Sequence, residues 1–374
     1  MADLFDYLHW RGDLAFSQVP PGPVDALIFS ALSYLTFRGS VAERPDIPIS
    51  LREASEEFFT GCDQEDRCRV KVDLSLLMAA SETKRFGNTL LLQYRDILIP
   101  EEDTQFAAIT FLLDNSSAFL AFRGTDYSLT GWKEDFNMSF QESVPAQRLA
   151  AEYVEAISLR YPMPLYLGGH SKGGNLAVYA AAKSPAPIRD RIRAVYNHDG
   201  PGFTSSVMKD PGYLEIVPRI QTIIPQSSVI GMLLEHEEPY TVVKSKQIGL
   251  LQHDFYSWVL DGPDFVPMDR VTEDSKFLDL TIKEWLSGMT NQERNEIVDA
   301  VFDLLAIGEV NSVFDLIHPK NVRTYLKTLS TDGKLRRMFS EEFMSLIEAA
   351  RKTQLALEEQ PEQSADETEK PGGS

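Results

Sequence analysis

The chain is poor in cysteine, in long apolar runs and in positive charge. Its two thiols, Cys62 and Cys68, lie in the acidic stretch GCDQEDRC without the further Cys or His residues a zinc site would need. Two free thiols in a reducing compartment are expected, with a local disulfide as the alternative. No uninterrupted apolar stretch approaches the ~20 residues that cross a bilayer. The N-terminus, MADLFDYLHWRGDLAF, lacks a basic region followed by an apolar one, so no signal peptide is expected. Together these absences predict a soluble, cytoplasmic protein. Lys and Arg number 36 against 56 Asp and Glu, a formal charge of −20. That sign argues against a nucleic-acid partner and against electrostatic attraction to anionic membranes, though not against apolar contact with lipid. Phosphate-loop signatures are missing as well: no Gly-Lys-Ser/Thr completes a Walker pattern and no G-x-G-x-x-G occurs.

What remains is an ordinary globular composition, 43% hydrophobic and 25% charged over 374 residues, enough for a large core. After a turn-rich opening over residues 1–22, Leu27, Ile28, Ala31, Leu32 and Leu35 recur at the spacing of an amphipathic helix. Further helices are expected over 51–59 and from Asp73, read as an N-cap. The pattern then turns strand-like at 90–99, 105–114 and 118–122, an antiparallel start to a sheet. Beyond it a helix (146–159) precedes a strand at 165–168, a helix at 174–183 and strands at 194–197, 220–224 and 240–243. Such alternation predicts a mostly parallel sheet covered by helices on both faces. Past Gly262 four amphipathic helices are expected, 276–289, 292–306, 313–329 and 340–357, the second opened by the capping box Thr290-Asn-Gln-Glu293. Residues 1–262 thus read as one α/β domain, 263–357 as a helical extension and 358–374 as a disordered acidic tail.

One stretch organises the rest. In PLYLGGHSKGGNLAVYA the apolar run Leu165–Leu167 meets Gly169-His170-Ser171-Lys172-Gly173, and an Ala- and Leu-rich helix follows. Strand, sharp turn and helix are the context in which G-x-S-x-G lifts a serine hydroxyl above a sheet, with Gly169 and Gly173 clearing the backbone around it. Ser171 is the candidate nucleophile, at a helix N-terminus that favours negative charge. The alternative is a glycine-rich turn with no ligand.

A serine nucleophile needs a base, an acid to orient it and donors for the oxyanion. AFRGTD ends an earlier strand, so the N–H of Thr125, with that of Lys172, forms the candidate oxyanion hole. The Thr125 hydroxyl is a further candidate donor, and Asp135 in GWKED is placed to accept from it. Its alternative is a surface Asp after a turn. Among six histidines, His253 follows the last strand, where the order Ser, acid, His requires the base; His236 is the fallback. For the acid, Asp199 closes the strand over 194–197 and is preferred to Glu235, Glu237, Glu238 and Asp254, although Asp-Gly-Pro-Gly is equally a turn former.

AFRGTD, GWKED and GGHSKGGNLA together resemble the class 3 lipases of the α/β-hydrolase superfamily over roughly residues 75–260. DYLHWRGDLAF, VDALIFSALSYLTF, SSVIGMLL and QHDFYSW more closely resemble an uncharacterised bacterial group of α/β-hydrolase-like proteins, the Mbeg-like family. The resemblance implies an α/β-hydrolase fold, a Ser171–Asp199–His253 triad, a carboxylic ester or acyl-lipid substrate, and no metal or cofactor. It also marks a departure. Class 3 lipases place the acid after the strand that corresponds to 220–224, where this chain has Ser227 and Ser228; Asp199 fits the placement in pancreatic-type lipases. A hydrolase-fold scaffold that binds a lipid or protein without catalysis is the rival reading, and transfer to an alcohol instead of water is a third. Acyl length, head group and oligomeric state are not written in the sequence.

Overall fold

The computed structural model describes residues 1–60, 64–114, 116–126, 128–308 and 319–358. Cys62, His318, the first residues of the helix expected over 313–329 and the tail from 359 onward lie outside the described residues. Cys68 is a free thiol.

Eight strands form one sheet in chain order: β1 (Ile49–Ser50), β2 (Leu90–Ile99), β3 (Thr104–Leu113), β4 (Ser117–Phe122), β5 (Leu165–His170), β6 (Ile192–His198), β7 (Ile220–Pro225) and β8 (Tyr240–Val243). Pairing is antiparallel from β1 to β4 and parallel from β4 to β8. β3 and β4 are buried at every position, so both faces of the sheet are covered. The strand period of two divides them: Phe119 and Ala121 enter one core, while Ala118, Leu120 and Phe122 enter the other.

The longer helices are α1 (Leu4–Arg11), α2 (Pro23–Leu32), α3 (Leu51–Thr60), α4 (Lys71–Glu82), α5 (Leu129–Asn137), α6 (Pro145–Arg160), α7 (Lys172–Lys183), α8 (Glu273–Ser287), α9 (Asn291–Ala306), α10 (Pro319–Thr331) and α11 (Gly333–Glu358). Because β4 to β8 advance one place at a time in one direction, right-handed crossovers deliver their helices to a single face. α6 and α7 accordingly share one core with Leu120, Leu165 and Leu167. The opposite face falls to the N-terminal helices, whose Leu27, Phe29, Phe58 and Leu76 pack with Ile109, Phe111 and Phe119.

That N-terminal layer departs from expectation in three places. The opening 22 residues contain α1, started by the capping box of Asp3 and Asp6. α2 is not amphipathic: every residue from Val24 to Leu32 is buried, since the helix lies between the sheet and the outer helices. Its one carboxylate, Asp25, is met by the buried Arg85 guanidinium at 2.6 and 2.7 Å and by the Tyr7 hydroxyl at 2.9 Å. Finally, Asp73 is not the N-cap of α4; Val70 is, and the Asp73 carboxylate reaches back to the N–H groups of Arg69 and Val70.

The C-terminal helices pack on the body of the molecule. The Thr272 N–H before α8 donates to the Gln226 carbonyl at 2.7 Å, and Ser275 Oγ donates to the Ser228 carbonyl. α9 lies against α5, where Phe302 meets Phe136 and, with Val298, packs on Phe140 just past the end of α5, and Lys133 pairs with Asp299 at 3.0 Å. Among the described residues no helix is long and apolar enough to cross a membrane. An eight-stranded, mostly parallel sheet between two helical layers, extended by C-terminal helices, is the α/β-hydrolase fold.

Candidate active site

Ser171 stands between β5 and α7 at φ 59° and ψ −133°, a conformation that costs a non-glycine residue about 1–3 kcal/mol. The turn is tight enough to dictate its neighbours. A Cβ on Gly169 would lie 2.2 Å from the Gly173 carbonyl oxygen, and one on Gly173 would lie 2.1 Å from that of Phe122. Only glycine fits at either place. α7 starts at Lys172, directly after the serine, so the first N–H groups of the helix face the space beside the hydroxyl. The Ser171 side chain makes no capping bond to its own helix.

Asp199 is the parallel-strand neighbour of Ser171. His170 and His198, the residues before them, pair in register across β5 and β6, and Asp199 is also left-handed at φ 52°. Its buried carboxylate is fully engaged. Oδ2 accepts from His253 Nδ1 at 2.7 Å, while Oδ1 accepts from Ser228 Oγ at 2.5 Å and from the Gly231 N–H at 3.2 Å. A carboxylate can only accept, so Nδ1 of His253 carries a proton, and in the neutral ring Nε2 is the nitrogen that holds the lone pair. The His253 side chain is 29% exposed, open enough to meet a substrate. The rival groups lie elsewhere. Glu235, Glu237 and Asp254 are exposed, and the buried Glu238 binds His236 Nδ1 at 3.0 Å together with the Thr222 and Tyr213 hydroxyls.

His253 ends a short turn, Gly249–His253, that is tied down on several sides. His170 Nε2 donates to the His253 carbonyl at 2.9 Å, and the two rings lie 4.5 Å apart. That leaves His170 Nδ1 to accept from the Tyr34 hydroxyl at 3.0 Å. Burial, with His253 adding to it, pushes the His170 pKa well below that of an ordinary histidine, so its ring stays neutral. Three residues on, Tyr256 donates to Asp73 of α4 at 2.7 Å. The Gln252 carbonyl accepts from the Trp258 indole at 2.8 Å, and its side chain accepts from the Ser227 N–H at the same distance. Nothing in the sequence singles out Tyr34, His170 or Asp73 as supports for this turn, because each reaches it across a large gap in the chain.

Gly124 and Thr125 lie beside the elbow: a Cβ on Gly124 would be 3.2 Å from Ser171 Cβ. The Thr125 hydroxyl donates to Asp135 Oδ2, so its hydrogen is committed there. The expectation that this hydroxyl serves as an additional oxyanion donor is therefore corrected; the N–H is the group left. Burial raises the Asp135 pKa to about 6, against the opposing pull of Lys172 and of the Thr125 bond. The Lys172 side chain is turned inward and wholly buried. Its Nζ donates to the Gln105 carbonyl at 2.9 Å, to Gln105 Oε1 at 2.7 Å and to Glu134 Oε2 at 3.0 Å. Glu134, equally buried, also accepts the Gln105 and Ala146 N–H groups at 3.0 and 2.9 Å. One ion pair thus joins α7, β3, α5 and α6 around the loop that carries Gly124 and Thr125. GWKED shows two adjacent carboxylates but not that the first of them points inward. No group of three or more His, Cys, Asp or Glu side chains arranged for a metal occurs among the described residues.

A model of the Mbeg1-like family matches residues 80–303. No curated protein matches the sequence. Among solved structures the chain is similar to the native propeptide complex of Rhizomucor miehei lipase, with 11% identity, 60% of this chain and 68% of that one covered, and a TM-score of 0.36. A mutant of MDLA from Penicillium cyclopium gives 15%, 65%, 83% and 0.38, and a triacylglycerol lipase from Penicillium expansum 12%, 47%, 75% and 0.31, in the same order.

Proposed function

The chain belongs to the Mbeg1-like family, and from that premise we propose that it is a serine hydrolase of carboxylic esters, with an acyl or lipid-like substrate. The observation that carries this reading is the 2.7 Å bond between Asp199 and His253, one register step from a serine held in a strained elbow. Ser171 Oγ attacks the acyl carbonyl, and His253 Nε2 takes the hydroxyl proton. The oxyanion formed accepts the N–H groups of Thr125 and Lys172, a contribution worth roughly 10²–10³ in rate for one donor. Collapse of that intermediate breaks the ester bond, and His253 returns the proton to the departing alkoxide. Water, activated by the same imidazole, then releases the acid from Ser171. Asp199 holds the tautomer this sequence requires and stabilises the imidazolium when it forms. Residues 1–262 read as the hydrolase domain and 263–357 as its helical extension. The role is cytoplasmic in this reading.

Labelling with a fluorophosphonate tests the assignment, with turnover of p-nitrophenyl esters of graded chain length alongside. Stoichiometric labelling and turnover in the wild type, both lost in Ser171→Ala, are the expected result. Folded protein that neither labels nor turns over would favour a scaffold that binds without catalysis.

A further inference from the structure

α11 is a 26-residue helix with one face occupied and the other free. Its inner face, marked by the buried Ala349 and Thr353, lies along α8. At 100° per residue the opposite stripe carries Arg336, Arg337, Met344, Ile347 and Arg351, with Phe343 on one shoulder and the exposed Glu348 on the other. The large apolar members are open to solvent, Phe343 at 63%, Met344 at 60% and Ile347 at 47%. None of the three guanidinium groups has an ion-pair or hydrogen-bond partner among the described residues. α10 repeats the composition, with Val322, Arg323, Leu326 and Lys327 exposed and no acidic residue in the helix.

The sign of this region is opposite to that of the molecule. From Pro319 to Leu355 there are eight Lys and Arg against four Asp and Glu, in a chain whose formal charge is −20. A chain-wide excess of carboxylates leaves such a patch in place, because at physiological salt charges more than about 8 Å away are largely screened. The global charge is therefore the wrong guide to what this face meets.

We propose that the outer face of α11 docks on an anionic phospholipid bilayer. Arg side chains flanking Phe, Met and Ile suit the headgroup boundary, where guanidinium groups bind phosphate and the apolar side chains enter the acyl region. A single outward helix face offers no groove to grip a peptide, but it lies flat on a plane. This inference rests on the charge and exposure of the helix and stands apart from catalysis at Ser171.

Flotation of the full chain with phosphatidylcholine vesicles, with and without one third phosphatidylglycerol, tests it. The wild type is expected to float with the anionic vesicles at low salt and not with the neutral ones. Arg336→Glu with Arg337→Glu, and separately Phe343→Ser with Ile347→Ser, should each weaken binding at least tenfold, with unchanged circular dichroism. Lys334→Glu alters charge off this stripe and should change binding by less than about threefold. Equal binding to both vesicles, no binding to the anionic ones, or full binding by either double variant would overturn the proposal. Absence of vesicle binding with retention on an acidic peptide would assign the face to a protein partner instead.

Discussion

Ser228 donates its hydroxyl hydrogen to Asp199 Oδ1 at 2.5 Å. Ser228, three residues past the end of β7, thus holds the carboxylate proposed as the triad acid, which stands just past the end of β6. The two positions are not equivalent in consequence. Asp199→Asn should lower kcat by about 10³–10⁴ with little change in KM, since the amide favours the wrong imidazole tautomer. Ser228→Ala should cost only about tenfold, because His253 keeps its partner. Steady-state ester hydrolysis separates them.

The backbone at Ser171 is held against its preference. Ser171→Gly should stabilise the fold by about 1–3 kcal/mol in urea unfolding while abolishing activity, because glycine takes φ 59° without penalty. Ser171→Ala should abolish activity without that gain. Equal stability of the two variants would remove strain from the account of the elbow.

Lys172 and Glu134 form an ion pair in which neither side chain is exposed. Lys172→Met should destabilise by about 3–5 kcal/mol, since it strands a buried carboxylate. Adding Glu134→Gln should return part of the loss. Thermal unfolding of the single and double variants measures the coupling, and a double variant no better than the single would refute it.

In the proposed reaction Tyr34 acts through His170. Tyr34→Phe should lower kcat by about tenfold at constant KM, by loosening the ring that holds the His253 carbonyl. Labelling at Ser171 should slow in parallel. A change confined to KM would place Tyr34 at the substrate instead.

Asp135 carries a pKa near 6 in the folded chain against an ordinary value of 3.8. The folded state thus binds more protons than the unfolded one between these values, and the contribution of Asp135 to stability falls as pH rises from about 4 to 6. Denaturation of wild type and Asp135→Asn at both ends of that window should show the wild type losing ground relative to the variant as pH increases.

The sequence discloses what is local. Ser171, Gly169 and Gly173 are neighbours in the chain, so the elbow is legible from a pentapeptide and its flanks. Asp199 and His253 are readable from strand ends and chain order. The supports are not, because they are tertiary: Tyr34 meets a residue 136 positions away and Asp73 one 183 positions away. α2 misleads for the same reason. A helical spacing of apolar residues suggests one wet face, whereas Asp25 on this helix is buried against Arg85, sixty positions on. The charge of the whole chain likewise conceals the basic stripe of α11.

The sheet's strict progression carries a cost that reaches the chemistry. With its crossover helices gathered on one side, the domain borrows its other wall from the first eighty residues, most of which precede the stretch matched by the family model. That wall also supplies Tyr34 and Asp73, which grip the turn bearing His253. Shortening the chain to the matched stretch would therefore leave no intact domain: the same cut that bares one face of the sheet also unfastens the turn that carries His253.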